Sequence, residues 1–188
     1  LSKALQQDNA GLVNMYLQQL GKTPFFKKVK PTPYDEAMSL IWYMEHVFYS
    51  AIGEIMTSIK NQVSDSFYET HPVIRMGFWP GGDRDGNPFV TPQITLQVAQ
   101  ALRKAIVRCY YFDVRELKHR LTFKGVEEKV TQLEELLYEE LYSNGQSQIL
   151  TKLIFLQKLR EIKNIIIQEH NGLFLHLVED LMSKAEIF

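Results

Sequence analysis

The sequence predicts a mostly α-helical fold of long helices with one short buried strand. Apolar residues recur every three or four positions over residues 34–62, 92–122 and 126–142, which is the spacing of one helix face. Residues 73–79 are instead a short run of aromatic and β-branched residues between turn signals, which favours a buried strand. A single strand has nothing to pair with, so we expect its partner strands to lie outside this chain.

The first half of the chain predicts two helices. Residues 1–20 carry a helical face that ends at Gly21, and residues 22–33 form a Lys- and Pro-rich connector. Thr32 is a suitable N-cap and Pro33 suits the first helical position. Acidic residues then occupy the first turn, where the helix dipole favours negative charge. This second helix has the strongest apolar periodicity in the chain.

The second half of the chain is predicted to be helical throughout. Thr91 followed by Pro92 repeats the cap-and-proline pattern and begins one long helix, and Gly125 separates it from the next. Ser147 predicts the cap of a last helical stretch, which is interrupted near Asn171. Helices therefore dominate both halves of the chain.

Composition excludes several classes of protein. With 188 residues, 45% of them hydrophobic, the chain can form one globular domain or a large piece of one. A net charge of −1 argues against a nucleic-acid-binding module, and no apolar run reaches the roughly 18 residues that a membrane span needs. We therefore expect neither a nucleic-acid nor a membrane partner. The single cysteine excludes an internal disulfide and favours a reducing compartment.

Several distinctive side chains have helix packing as their expected role. Cys109 lies on an apolar helix face and is expected in the core. Trp42, Tyr43 and the aromatic run that begins at Tyr110 are also expected to pack between helices. No basic stripe accompanies these aromatic residues, so they do not predict a base-stacking surface.

Residues 81–88, called the 81–88 loop below, contain the residue types most suited to chemistry. Glycine permits unusual backbone shapes, and an arginine between two acids would have its guanidinium oriented by a carboxylate. The helix N-terminus that follows adds backbone N–H groups, so the pattern is compatible with an anion-facing loop. The loop consists of Gly81, Gly82, Asp83, Arg84, Asp85, Gly86, Asn87 and Pro88.

Two interpretations of the 81–88 loop remain open. It either performs a function, or its acidic and turn residues only fix the loop through side-chain-to-backbone hydrogen bonds. A calcium loop is excluded because the pattern requires a glutamate where Ile94 stands. A phosphate loop is excluded because no Lys-Ser or Lys-Thr pair follows the glycines.

The 81–88 loop closely resembles the Gly-Gly-Asp-Arg-Asp-Gly-Asn-Pro block of phosphoenolpyruvate carboxylases, which it matches without a break. Pro80 stands where the family usually has Met or Ile. Residues 30–36 resemble the Lys-Pro-Thr-x-x-Asp-Glu segment that precedes this block in the family. Both chain ends interrupt helical patterns. Residues 1–188 are therefore expected to be a single fragment of the N-terminal half of a much longer enzyme, with no complete domain boundary.

The resemblance implies a specific activity. These enzymes carboxylate phosphoenolpyruvate with bicarbonate and release oxaloacetate and phosphate, a carbon dioxide fixation that feeds the tricarboxylic acid cycle. The reaction resembles phosphoryl transfer to bicarbonate followed by enolate attack on CO2, and it uses Mg2+ or Mn2+. The family fold is a helix-rich α/β barrel with its active site at the carboxyl ends of the strands. A cytoplasmic homotetramer is implied for the parent enzyme.

The resemblance also implies roles for individual residues. Arg84 is expected to form one wall of the active site, with Asp83 and Asp85 beside it as catalytic residues. The substrate loop is expected to include Gly81, Gly82, Gly86 and Asn87. No metal ligand is expected in this chain, because the acidic ligands of the family lie downstream.

The catalytic histidine of the family lies in a Thr-x-His-Pro-Thr-Glu motif upstream of this segment. His71 lies between Thr70 and Pro72 and so resembles part of this motif. The Thr-Glu pair that should follow the proline is missing, so we expect His71 to be an ordinary loop residue. The fragment alone is therefore expected to be inactive. An alternative from another class is a helical scaffold or interaction module whose Asp-Arg-Asp loop is purely structural.

Overall fold

The structure, a computed structural model, divides the chain into two units, Leu1–Thr32 and Pro33–Phe188. The first unit contains helix α1 (Ala10–Lys22), whose N-cap residue Asn9 accepts a hydrogen bond from the Leu12 N–H at 3.1 Å. The helix therefore continues one residue past Gly21, where it was predicted to end. The residues that the structure describes are 6, 9–24, 30–60, 62, 74–83, 85–143 and 150–188.

The second unit is built from helices, which confirms the prediction of a mostly α-helical fold. Its elements are α2 (Pro33–Tyr43), a π-helix (Met44–Phe48), α3 (Tyr49–Lys60), α4 (Pro92–Arg120), α5 (Val126–Tyr142), α6 (Lys152–His170) and α7 (Leu175–Ile187). Helix α4 packs against α2, α5 and α7, and α6 packs against α5 and α7. The long helix α4 is thus the central element of this unit.

Local capping signals explain where the later helices begin and end. Thr91 caps α4 as predicted, because its side chain accepts a hydrogen bond from the Ile94 N–H at 3.3 Å. Helix α6 is capped in the same way by Thr151, whereas the predicted cap Ser147 lies outside the described residues. The interruption predicted near Asn171 is confirmed, since that residue has a left-handed φ of 50° at the end of α6.

The helix predicted to run without a break over residues 34–62 contains one π-helical turn. The Tyr49 N–H donates to the carbonyl of Met44, five residues earlier, so this turn holds one residue more than an α-helical turn. The extra residue rotates the apolar face of the chain. Helix α2 before the turn packs on α4, and helix α3 after it packs on α7.

The hydrophobic core lies mainly among α4, α5, α6 and α7. Tyr110 stacks on Phe155 with ring centroids 4.5 Å apart, and Cys109 is buried as predicted. Trp42 and Tyr43 are about half exposed, so the prediction that they pack between helices is wrong. The largest side chains with less than 2% exposure are Phe155, Leu121, Leu133, Leu137, Leu159, Ile162, Ile166, Val114, Val126, Val130 and Val178.

The strand predicted over residues 73–79 is not seen. Residues 74–79 form neither helix nor strand, and Trp79 is 73% exposed. A strand needs a second strand to receive its backbone hydrogen bonds, and the described part of the chain contains none. In the same described ranges, no helix combines the length and apolar character that a membrane crossing requires.

Candidate active-site loop

The 81–88 loop begins with a tight turn in which the Gly82 N–H donates to the Trp79 carbonyl at 3.0 Å. Gly81 is buried and has a φ of 77°, a backbone conformation that residues other than glycine rarely adopt. A Cβ atom at this position would lie only 2.7 Å from Cγ2 of Val98 on α4. Backbone shape and close packing both require glycine here.

A hydrogen bond from α4 fixes the same residue. The Thr95 hydroxyl, in the first turn of α4, donates to the Gly81 carbonyl at 2.8 Å. Thr95 and Val98 are three residues apart and therefore lie on the same face of the helix. The beginning of the 81–88 loop is thus held against α4 by one polar contact and one apolar contact.

The far end of the loop is fixed by Asn87. Its side-chain oxygen accepts a hydrogen bond from the Phe89 N–H at 3.1 Å, and its backbone carbonyl accepts one from the Val90 N–H at 3.0 Å. The buried side chain of Val90 and the Thr91 cap then lead into α4. Asn87, predicted to belong to a substrate loop, has its side-chain oxygen engaged in a local turn.

The described residues in the middle of the loop are Asp83, Asp85 and Gly86. Asp83 is half-buried, Asp85 and Gly86 are exposed, and a Cβ atom at Gly86 would contact nothing within 4 Å. Arg84, the predicted wall of the active site, lies outside the described residues, as does His71. The structure therefore places Gly81, Gly82 and Asn87 at the anchored ends, with Asp85 and Gly86 at the exposed tip.

Sequence reasoning missed Thr95 and Val98. Both lie outside the 81–88 loop, and nothing in the local pattern pairs them with Gly81. One available signal is the position of Thr95, four residues after the cap Thr91, because helical side chains there point back toward the helix N-terminus. That direction leads to the preceding loop.

The described residues offer little other chemistry near the loop. Burial and the nearby negative charge of Glu45 raise the pKa of the Cys109 thiol to about 12, so it stays protonated at neutral pH and is a poor nucleophile. A largely apolar cavity of about 470 Å³ lies beside Met76, Phe78 and α4 but is lined by none of the described residues of the 81–88 loop. Across the described ranges, no three His, Cys, Asp or Glu side chains are grouped to hold a metal ion.

Comparison with known proteins identifies the family. The family model described as Phosphoenolpyruvate carboxylase matches residues 2–168. The chain is 32% identical over 122 residues to a phosphoenolpyruvate carboxylase of Roseiflexus castenholzii, covering 62% of this chain and 13% of that protein. It is 27% identical over 135 residues to phosphoenolpyruvate carboxylase 4 of Arabidopsis thaliana, covering 70% of this chain and 13% of that protein.

A third relative extends the match. The chain is 27% identical over 157 residues to a phosphoenolpyruvate carboxylase of Medicago sativa, covering 81% of this chain and 15% of that protein. No solved structure matches the chain. The chain thus spans only about 13–15% of the length of these three relatives. The family match covers most of the chain and includes the 81–88 loop, so the chain belongs to the phosphoenolpyruvate carboxylase family.

Proposed function

We propose that residues 1–188 form one piece of the catalytic chain of a longer phosphoenolpyruvate carboxylase. The family match over residues 2–168 supports this assignment. The parent enzyme would carboxylate phosphoenolpyruvate with bicarbonate, release oxaloacetate and phosphate, and so feed the tricarboxylic acid cycle. This assignment replaces the alternative of a helical scaffold, since the family match names an enzyme.

The 81–88 loop is proposed to form one wall of the active site. The observation that carries this proposal is that the loop is held on α4 at Gly81 and by a local turn at Asn87, while Asp85 and Gly86 between them are exposed. An anchored loop can hold a charge in a fixed place, as stabilisation of a developing phosphoryl or enolate charge requires. Arg84, which lies between Asp83 and Asp85 in the sequence, would supply that charge, and the two carboxylates would orient its guanidinium.

Residues 73–79 are proposed to complete a strand of the barrel in the longer protein. Burial in this segment alternates: Ile74, Met76 and Phe78 are partly buried, and the residues between them are exposed. A period of two is typical of an extended chain. The strand partners would lie outside residues 1–188, and the 81–88 loop would then follow the carboxyl end of a strand, where barrel active sites lie.

The remaining properties of the parent enzyme are also proposals. The divalent metal implied by the family, Mg2+ or Mn2+, does not fit the described residues, which lack a group of ligands for it. Its ligands are therefore proposed to lie elsewhere in the parent enzyme. A cytoplasmic location and a homotetrameric parent are proposed on the family assignment alone. Because the motif of the catalytic histidine is not found in residues 1–188, this piece alone is expected to form no oxaloacetate.

The test is the turnover of Arg84→Ala in the full-length carboxylase. Loss of a charge-stabilising group typically lowers turnover by about 10²–10³-fold. Turnover is measured per folded active site, from initial rates of oxaloacetate formation beside a thermal melt. Arg160→Ala is the matched control, because this exposed arginine lies on α6, outside the loop and the 73–79 segment. We expect it to retain near-normal turnover.

The two interpretations of the loop give opposite results in this experiment. If Arg84 stabilises charge in the active site, turnover falls far more than the melting temperature. If Arg84 only fixes the loop, the melting temperature falls while the folded enzyme keeps near-normal turnover, and the proposed role of the loop is wrong. Arg84→Lys keeps the charge but not the planar fork, and it is expected to be intermediate.

A further inference from the structure

We infer that Thr95 is a positioning residue. By holding the Gly81 carbonyl against α4, it sets the direction of the 81–88 loop and thereby places Arg84. This inference rests on the proposed function of the loop. Thr95 lies outside the loop, and its hydrogen bond to the described loop residues is made to the first of them, Gly81. It is therefore not a catalytic residue, and any effect on the reaction passes through the loop backbone.

The hydroxyl of Thr95 has a choice of two acceptors. In a helix, a threonine hydroxyl usually donates to the carbonyl four residues earlier, which here belongs to Thr91 at 3.3 Å. The Gly81 carbonyl is closer, at 2.8 Å. A hydroxyl carries one proton, so the two acceptors share it and the shorter contact is the stronger hydrogen bond. Thr95 thus binds the loop more closely than its own helix.

Two contacts, on different sides of Gly81, hold this residue in one orientation. The carbonyl is held by Thr95, and the Cα side lies against Val98, which is only 3% exposed. The left-handed φ of 77° at Gly81 fixes the exit direction of the chain, and Arg84 follows three residues later. A rotation of the Gly81 peptide would therefore displace the loop tip.

No equivalent contact fixes the tip itself among the described residues 83, 85 and 86. Asp85 and Gly86 are exposed, and the hydrogen bonds of Asn87 are made to Phe89 and Val90 within its own turn. The hydrogen bond from Thr95 joins α4 to Gly81, three residues before Arg84. Positioning of Arg84 should consequently depend on the Thr95 hydroxyl.

The test compares Thr95→Val with Thr95→Ser in the full-length carboxylase. Valine has nearly the shape of threonine but no hydroxyl, whereas serine keeps the hydroxyl. We expect Thr95→Val to lower kcat about tenfold with little change in the KM for phosphoenolpyruvate, since misplaced groups cost turnover steeply. Thr95→Ser should stay within about twofold of the parent. Thr122→Val, at an exposed threonine after α4, is the matched control.

Amide hydrogen exchange over residues 82–90 supplies a second readout. Exchange is expected to be faster in Thr95→Val and unchanged in Thr95→Ser. If Thr95→Val only lowers the melting temperature while turnover per folded site is kept, the inference is overturned. Should Thr95→Val not fold, Thr95→Ala gives the same comparison, because it also removes the hydroxyl.

The Arg84→Ala variant separates the two proposals. If Arg84→Ala keeps full turnover, the proposed function of the loop fails. If Arg84→Ala loses turnover and Thr95→Val does not, only the positioning role of Thr95 fails.

Discussion

Lys184 on α7 and Asp113 on α4 form an ion pair with 2.9 Å between Nζ and Oδ2. The same carboxylate oxygen accepts the hydroxyl of Tyr49, on α3, at 2.7 Å. The Lys184 ammonium also lies 4.8 Å from the centre of the Tyr49 ring, within cation–π range. One half-buried carboxylate thus joins three helices that are distant in sequence.

Removal of the Tyr49 hydroxyl should destabilise this junction. We expect Tyr49→Phe to lower the free energy of unfolding by about 1.5–3 kcal/mol, since a hydrogen bond to a charged acceptor is lost from a buried side chain. Urea denaturation of the chain measures the change. Tyr142→Phe is the control because Tyr142 is 60% exposed. Equal, small losses in both variants would contradict the role of Asp113 as a shared acceptor.

Gly53, on α3, should tolerate no larger residue while Lys184 is in place. An added Cβ would lie 2.6 Å from Cε of Lys184, so Gly53→Ala requires the lysine side chain to move, and we expect this movement to weaken its ion pair with Asp113. An alanine inside a helix would otherwise stabilise it by about 1 kcal/mol relative to glycine. We expect Gly53→Ala to destabilise the parent chain but to stabilise the Lys184→Ala variant. Chemical denaturation of the four proteins tests this, and the same sign in both backgrounds would refute it.

Gly81 and Gly86 should respond differently to alanine. At Gly81 an alanine must adopt a positive φ and overlap Val98, so we expect Gly81→Ala to cost about 1–3 kcal/mol of stability. At Gly86 a Cβ meets open space, and we expect a change within about 0.5 kcal/mol. Thermal melts of the two variants compare the sites directly. A similar loss at both positions would mean that packing on α4 does not fix the loop.

Burial of Cys109 predicts a loss of stability at alkaline pH. The unfolded thiol ionises near its ordinary pKa of 9.0, whereas burial and Glu45 raise the pKa of the folded thiol to about 12. Between these values the unfolded chain binds fewer protons than the folded chain, so stability falls as the pH rises. The slope from this one thiol is at most about 1.4 kcal/mol per pH unit.

Cys109→Ala isolates this contribution from that of the buried tyrosines. Burial also raises the pKa of Tyr49 and Tyr110, and both groups remain in the variant. The stability difference between parent and variant, measured by urea denaturation from pH 8 to pH 11, should shrink above pH 9. A difference that stays constant across this range would show that the folded thiol titrates like an exposed one.

Elements set by neighbouring residues could be predicted from the sequence, and elements set by distant contacts could not. The cap at Thr91 and the break at Asn171 depend on side chains within a few positions, and both were predicted. The anchoring of Gly81 depends on Thr95, fourteen residues away, and no local pattern indicates that pairing. The strand predicted over residues 73–79 also depends on distant contacts, and it is not seen among the described residues because pairing needs a partner strand.

The π-helical turn was also beyond local reasoning. Apolar spacing of three and four continues through residues 44–48, so the period indicates an uninterrupted helix. Contacts from α4 fix the turn instead. Arg108 donates to both carboxylate oxygens of Glu45, at 2.8 and 3.0 Å, and the Cys109 thiol lies 3.8 Å from the Glu45 backbone carbonyl.

The same turn affects how this chain should be aligned with other members of its family. A π-turn differs from an α-turn by one inserted residue, and the helix continues in the same direction on either side. A relative with an uninterrupted α-helix here would lack one residue between positions 44 and 48 and would keep the flanking segments in register. A single-residue gap in this stretch would then record a change in helix geometry, and shifting the alignment to close it would pair residues of α3 with the wrong neighbours.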